Sequence, residues 1–583
     1  MCINNLPHDI LSLVLKQTVG EQAQSMQNWK HSIHLLAVCR KWRVLAQPWV
    51  HSFAFIEAYD GLDEGYESDS QDNNSAIIYN ISGQEIDSDV EDDVDVMAGD
   101  QSRKGPVWMT NIDFHLLHGK KHMVKYLQLY LDTQMHLVTF LRKVQDILVL
   151  DKYQWPRIRA LDINIYSILD ALDEFSENED KQIAEVDHIS GLIFQSLSGV
   201  QKLTVLGHIS HIRDIVSCSF GSKIINLYLP QLQYICSHVY TKLSAPTMSN
   251  RLEHLKLFMD ATTSFDHLRM HTGFLKYIFL INTPIGFPWH NLADETTENK
   301  INFPNLESLQ LMFESDRYYT NEPLNLPRIN AKQSNSPGYK KRLKIYLPKL
   351  KILRLEFPPL DCPFFDAEVY PLHLDLIHIT APFSALERLH HMNIKSINRL
   401  DIYLDTVSAT DETSFYNVTN HLFGKIHISD ELYFSIRTQI PFSIDPARIS
   451  WTMLTSLDLN ATIDFAFLLK LIGRIPSLIG LVFKNISVEA FMEDVKYIDS
   501  PRWQQLLSSP LDSKLEGIGP MGNYRQHSTH FTCNIIYFMI QRIRSLKHVY
   551  IKKKTFKNQI DMLLQHSPNP HPHVRNVIVI DSE

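Results

Sequence analysis

One short pattern recurs along most of this chain: an apolar residue, two free positions, an apolar residue, one free position, and a third apolar residue. Asn305-Leu-Glu-Ser-Leu-Gln-Leu311, Lys349-Leu-Lys-Ile-Leu-Arg-Leu355, Arg251-Leu-Glu-His-Leu-Lys-Leu257 and Met453-Leu-Thr-Ser-Leu-Asp-Leu459 are its clearest copies. The last two apolar positions lie two apart, so they share one face of a short strand, while the first enters from the preceding turn. Weaker copies are Val124/Leu127/Leu129, Ile158/Leu161/Ile163, Val200/Leu203/Val205, Ile224/Leu227/Leu229, Leu275/Ile278/Leu280, Ile397/Leu400/Ile402, Leu478/Leu481/Phe483 and Leu546/Val549/Ile551. A chain of 583 residues ordinarily divides into two or more domains, unless one repeat architecture holds most of it.

The middle apolar positions fall at 127, 161, 203, 227, 255, 278, 309, 353, 400, 457, 481 and 549, and gaps of 24, 28, 23 and 24 separate several neighbours. A leucine-rich repeat advances by about 20–29 residues. The wider gaps hold further units, with candidates at Leu374/Ile377/Ile379 and Phe423/Ile426/Ile428. Trp155-Pro, Phe303-Pro, Leu347-Pro and Ile475-Pro precede four copies, where proline fixes φ and stops the preceding element. One copy would suit a buried strand in any α/β protein. Twelve in order predict an α/β solenoid over residues 106–583. This region resembles irregular leucine-rich repeats. The Asn or Cys expected after each strand is mostly absent, so an irregular coil is expected.

Residues 57–105 interrupt the pattern. Between Asp60 and Asp100 there are 14 acidic residues and no Lys or Arg, and the 51 acidic residues elsewhere are outnumbered by 56 basic ones. A block of like charge with few apolar residues cannot offset the entropy of ordering, so an acidic disordered insert is expected. Ser68, Ser70 and Ser88 are phosphosite candidates within it. The rest of the chain is close to neutral, which gives no reason to expect a nucleic-acid partner.

Residues 1–56 read as a helical module. Leu6-Pro-His-Asp-Ile-Leu-Ser-Leu-Val-Leu15 places Pro7 at a first turn and Ile10, Leu11, Val14 and Leu15 at helical spacing. Leu35-Leu-Ala-Val-Cys-Arg-Lys-Trp-Arg-Val-Leu-Ala-Gln-Pro-Trp49 follows, with a large apolar load inside a basic segment. Leu-Pro-x-Asp-Ile-Leu followed by Leu-x-Val-Cys-Arg-x-Trp-Arg-x-Leu-Ala resembles the F-box. The linking segment from Gly20 to Lys30 is longer than is usual in that family.

The resemblance implies a substrate receptor of a Skp–cullin–F-box ubiquitin ligase. Its adaptor-binding residues would be Leu6, Pro7, Ile10, Leu11, Val14, Leu36, Val38, Cys39, Trp42 and Leu45. A Skp-type adaptor, and through it a cullin, are the implied partners, with an unknown protein substrate on the solenoid. About 50 residues bury little core alone, so Leu6, Ile10, Leu11, Val14 and Trp42 are expected to meet a partner's helices, with Arg40, Lys41 and Arg43 as a rim. Two rival readings use the same residues: a self-contained cap for the solenoid, and an interaction scaffold not coupled to ubiquitin transfer.

No phosphate-binding, dinucleotide-binding, nucleophile-elbow or zinc-protease motif occurs, and glycine is sparse at 20 residues. No enzyme activity, catalytic residue, metal or cofactor is expected. His115, His118 and His122 are spaced for one helix face but lack an accompanying Cys or carboxylate. The six cysteines are scattered without ligand or redox spacing. The N-terminal run lacks signal-peptide character, and no apolar run approaches a membrane span. A cytoplasmic or nuclear location without a membrane partner is the expectation.

Overall fold

The repeat unit sets the architecture. In a computed structural model the described residues are 7, 9–13, 29, 33–59, 107–132, 137–149, 155, 157–165, 179–207, 229, 231–240, 252–259, 268–284, 289–293, 300–314, 344–359, 362–366, 370–381, 383, 392, 394–404, 412–436, 442, 444–487, 513–520, 529–551, 554–566 and 576–579. They fall into two compact units, Met1–His271 and Thr272–Glu583. Each is mixed α/β with a long parallel sheet.

In the first unit, helices α1 (Leu35–Val38) and α2 (Arg40–Val50) lead into strand β1 (Phe53–Tyr59). Strand β2 (Val107–Thr110), helix α3 (Ile112–Leu117), β3 (Tyr126–Asp132), α4 (Leu137–Val149), β4 (Ala160–Ile165) and α5 (Glu179–Ser196) follow. Strands β5 (Lys202–Gly207), β6 (Tyr234–Tyr240) and β7 (His254–Phe258) complete it. Strand β2 runs antiparallel to β1, whereas β1, β3, β4, β5, β6 and β7 pair in parallel and in chain order.

Register shows why the pattern repeats. Ala54, Leu127, Leu161, Leu203, Ile235 and Leu255 stand side by side in one buried row. Each side chain covers its neighbours above and below, and each buried Leu or Ile contributes about 1.5–3 kcal/mol. The carbonyl just before each strand also repeats its role. Those of Ser52, Lys125, Arg159, Gln201 and Gln233 each accept two amide N–H bonds from the next repeat.

The second unit applies the rule over more turns. Its strands are β8 (Tyr277–Thr283), β9 (Lys300–Asn302), β10 (Ser308–Phe313), β11 (Lys344–Tyr346), β12 (Ile352–Glu356), β13 (His373–Ala381) and β14 (Ser396–Leu404). Helix α6 (Glu412–Lys425), β15 (His427–Ile436), β16 (Ser456–Asp464), α7 (Phe465–Arg474) and β17 (Gly480–Ser487) come next. Then follow β18 (Gly517–Pro520), α8 (Thr529–Arg542), β19 (His548–Ile551), α9 (Lys554–Gln565) and β20 (Asn576–Val579). Strands β9 and β11 form a separate parallel pair. The others stack in chain order, with Ile278, Leu309, Leu353, Ile377, Leu400, Leu432, Leu457, Leu481, Ile518 and Val549 buried along one row.

The prolines act in tight turns. Phe303, Leu347 and Ile475 are buried, and the carbonyl of each accepts the N–H three residues on, from Leu306, Leu350 and Leu478. Proline at the second position of such a turn supplies the required φ. In these three copies the first apolar residue, Leu306, Leu350 or Leu478, therefore enters the core from a turn, as the spacing predicts.

Several expectations need correction. The segment 1–56 is not helical to its end, because Phe53–Tyr59 is a strand that pairs with β3 over its whole length. Ala54, Ile56 and Ala58 align with Leu127, Leu129 and Leu131 of its buried row, at the period of a strand, not a helix, and the residues between them are buried as well. The expected copy around Leu227 has only Leu229 among the described residues, and the strand between β5 and β7 is β6, with Ile235 in the row. Leu432 occupies the row where Ile426 was the candidate. A register shift between Ile397 and Arg399 adds one residue on β15, which moves the pairing onward. Further shifts occur at Leu311/Phe313 and Leu459/Thr462, an irregularity expected of repeats without an asparagine ladder. Of the acidic segment 57–105, only 57–59 lie among the described residues, within β1.

Candidate functional site

The N-terminal segment is built around a small core. Residues 9–13 are helical, and the amide of Leu11 donates to the Pro7 carbonyl at 3.0 Å, placing Pro7 in the first turn as expected. Cys39 is extended, with φ −164° and ψ 172°, and separates α1 from α2. Its carbonyl accepts the Arg43 amide at 2.9 Å, while Arg43 Nε donates to the Leu36 carbonyl at 2.8 Å.

Leu11 and Leu45 are buried together, with Leu35, Trp42 and Trp49 packed against them. Ile10, Leu13, Val38 and Val44 stand 45%, 58%, 52% and 58% exposed. Adjacent helical residues point about 100° apart, so Leu11 turns inward while Ile10 turns out. Leu11 therefore holds the segment together rather than facing a partner. Pro7 is exposed, and Leu36, Cys39 and Trp42 are half-buried. Leu6 and Val14 lie outside the described residues. Leu13 and Val44 are exposed apolar residues that the motif did not single out. Their signal is their spacing from the buried pair: Val44 lies one residue from Leu45 and Leu13 two residues from Leu11, about 100° and about 200° around the helix.

A polar latch ties this segment to the sheet. Trp29 Nε1 donates to the Val50 carbonyl at 2.9 Å, and its ring meets Phe55 and Phe114 edge-on at 5.5 Å. The Phe53 carbonyl accepts from Asn111 Nδ2 at 3.0 Å and from His115 Nε2 at 2.9 Å. A carbonyl only accepts, so Nε2 carries the His115 proton. Nδ1 of His115 must then accept, and His51 Nδ1–H donates to it across 3.1 Å. Burial, reinforced by the positive charges of His118, Lys120 and His122, lowers His51 to a pKa of about 4. Burial, then the His51 charge, lowers His115 to about 3 despite its bond to Phe53. Both rings are neutral at pH 7.

His115, His118 and His122 do not share one helix. Gly119, with φ +61°, ends α3, and Lys120 donates back to the His115 carbonyl at 2.8 Å, the bonding of a helix end closed by a left-handed glycine. Among the described residues no group of three His, Cys, Asp or Glu could hold a metal ion, and no helix is long and apolar enough to cross a membrane.

A second candidate surface, which the sequence did not reveal, is the outward face of the sheet in the second unit. Outward residues of β12–β16 align as Arg354, His378, Asp401, Tyr433 and Asp458, with Glu356, Thr380, Tyr403, Ser435 and Asn460 in the adjacent row. Arg354 pairs with Glu356. Arg399 bridges Asp401 at 3.0 Å and Glu431 at 2.9 Å. Tyr403 and Tyr433 stack with centroids 4.7 Å apart. Nothing in a one-dimensional reading brings these residues together, because strand outward positions carry no pattern of their own.

No protein-family model matches this chain, and no curated protein does. Among solved structures, a leucine-rich-repeat protein of Leptospira interrogans is similar at a TM-score of 0.28 and 12% identity, over 74% of this chain and 97% of that one.

Proposed function

We propose that this chain is a substrate receptor of a cullin–RING ubiquitin ligase. Its N-terminal helices dock on a Skp-type adaptor, and the parallel-strand units hold a target protein. Transfer is then driven by position: the target is kept at high effective concentration near the ubiquitin-carrying subunit, and no residue of this chain need be catalytic. The supporting observation is the exposure of Ile10, Leu13, Val38 and Val44 around a core as small as Leu11 and Leu45, in a segment whose motif resembles the F-box. Large apolar side chains left open in a folded segment mark interaction sites more often than isolated ones do.

The test uses the full-length chain and a purified Skp-family adaptor in titration calorimetry. Ile10→Asp and Val38→Asp are expected to weaken binding by about 10- to 100-fold each, as the loss of one buried apolar side chain implies, with unchanged melting. An adaptor that ignores the wild-type chain rules out the ligase role. Adaptor binding without recruitment of a cullin favours an uncoupled interaction scaffold.

A further inference from the structure

We propose that the outward face of β14–β16 takes a lysine or arginine side chain from an extended segment of a target protein. Asp458 pairs with the cation, and the Tyr403–Tyr433 stack lies against it. The inference deepens the target-holding half of the function proposed above and rests on that half alone.

Charge singles out Asp458. Neighbouring strands lie about 4.8 Å apart, so residues aligned in register are direct side-chain neighbours. Within the patch, two arginines, Arg354 and Arg399, face four carboxylates: Glu356, Asp401, Glu431 and Asp458. The first three are bonded by those arginines. Burial alone would raise the Asp401 carboxyl, but hydrogen bonds from His378 and Arg399 outweigh it and hold the group below its ordinary value. Asp458 has no such help among the described residues. Its Oδ1 is buried without a hydrogen-bond partner, and burial pushes its pKa up to about 6. A carboxylate that is desolvated and unpaired is costly, and an incoming cation would relieve it.

The rings supply the second half of the recognition. Tyr433 sits directly beside Asp458 in register and stacks on Tyr403, with planes 28° apart. Both side chains are half-buried. A cation over a tyrosine face is attracted by its quadrupole, and a neighbouring carboxylate strengthens that preference. An acidic or phosphorylated segment would have to break the existing pairs of Arg354 and Arg399 to gain anything here. The net balance of the patch therefore selects a basic segment.

The experiment screens the full-length chain against a positional-scanning library of twelve-residue peptides, in which each position is fixed in turn to every amino acid and to phosphoserine. Arg or Lys is expected to be selected at one position by about tenfold over Glu and Leu, the scale of a charge-assisted bond with a ring contact. Asp458→Asn is expected to abolish that selection and Tyr433→Leu to weaken it. Asp375→Asn, at an exposed carboxylate on β13, serves as a control and should change nothing. Asp458→Asn is expected to melt no lower than the wild type, so a lost selection cannot be put down to unfolding. Selection of Glu or phosphoserine, no selection at all, or cation selection surviving in Asp458→Asn would each overturn the proposal. Adaptor affinity measured on the same proteins separates the two readings: it should be untouched by Asp458→Asn, and its absence in the wild type removes the ligase role while leaving the cation site standing.

Discussion

Leu353, Leu400 and Leu457 are buried because each strand is covered by the strand before it and the strand after it. Ile10, Val38 and Val44 are comparably apolar, yet about half of each side chain remains open. The difference lies in geometry, not composition. A parallel stack repeats its buried row at every turn, so an apolar residue at that position always meets another. Among the described residues, the helical segment around Leu11 and Leu45 repeats no such row. Closure within one region and incompleteness in the other is what suggests that a second polypeptide finishes the helical segment.

The sharpest way to break this comparison is to remove matched side chains from the two regions. Leu457→Ala should destabilise the second unit by about 2–5 kcal/mol, as expected for a leucine lost from a packed core, read from the denaturant midpoint. Val44→Ser should stay within about 0.5 kcal/mol of wild type, the range of exposed substitutions. Equal effects would show that the exposed helical residues are packed in solution. Leu11→Ala falls between, with its loss confined to residues 7–50 and visible as faster amide exchange there.

A finer test uses pH, because the two units carry opposite titrations. His51 and His115 have folded pKa values near 4 and 3 against 6.5 unfolded. The unfolded chain binds protons first, so their contribution is complete above pH 6.5 and is lost as pH falls toward 4, on the order of 1 kcal/mol per ring at pH 5.5. Asp458 runs the other way. Its folded pKa of about 6 exceeds the ordinary 3.8, so its contribution is full below pH 3.8 and is lost as pH rises through 6. The double variant His51→Gln/His115→Gln should flatten the acid slope of the first unit in melts between pH 4.5 and 7. Asp458→Asn should raise the melting temperature of the second unit slightly at pH 7 and leave it unchanged near pH 4.

Much of the strand stack was legible in advance because its signal is local and repeated. Positions 127, 161, 203, 255, 278, 309, 353, 400, 457, 481 and 549 all fall on the aligned buried rows. Three of the missed strands break the pattern at their inward positions: Ala54 and Ala58 are small in β1, Ser237 is polar in β6, and Pro520 stands in β18 where the apolar residue after Ile518 is expected. Leu432 was missed because the extra residue on β15 is a property of the pairing. In the candidate docking segment, residue types and helical character were readable, but the inward turn of Leu11 was not separated from the outward turn of Ile10. The charged face around Asp458 was unreadable, since residues from Arg354 to Asp458 meet only after the strands align.

Hydrogen exchange on the full-length chain, with and without a saturating Skp-family adaptor, tests the central contrast most directly. Protection should rise within residues 7–50 and stay constant along the strands of both units. No gain in those residues, or a gain centred on the strand stack, would contradict the account.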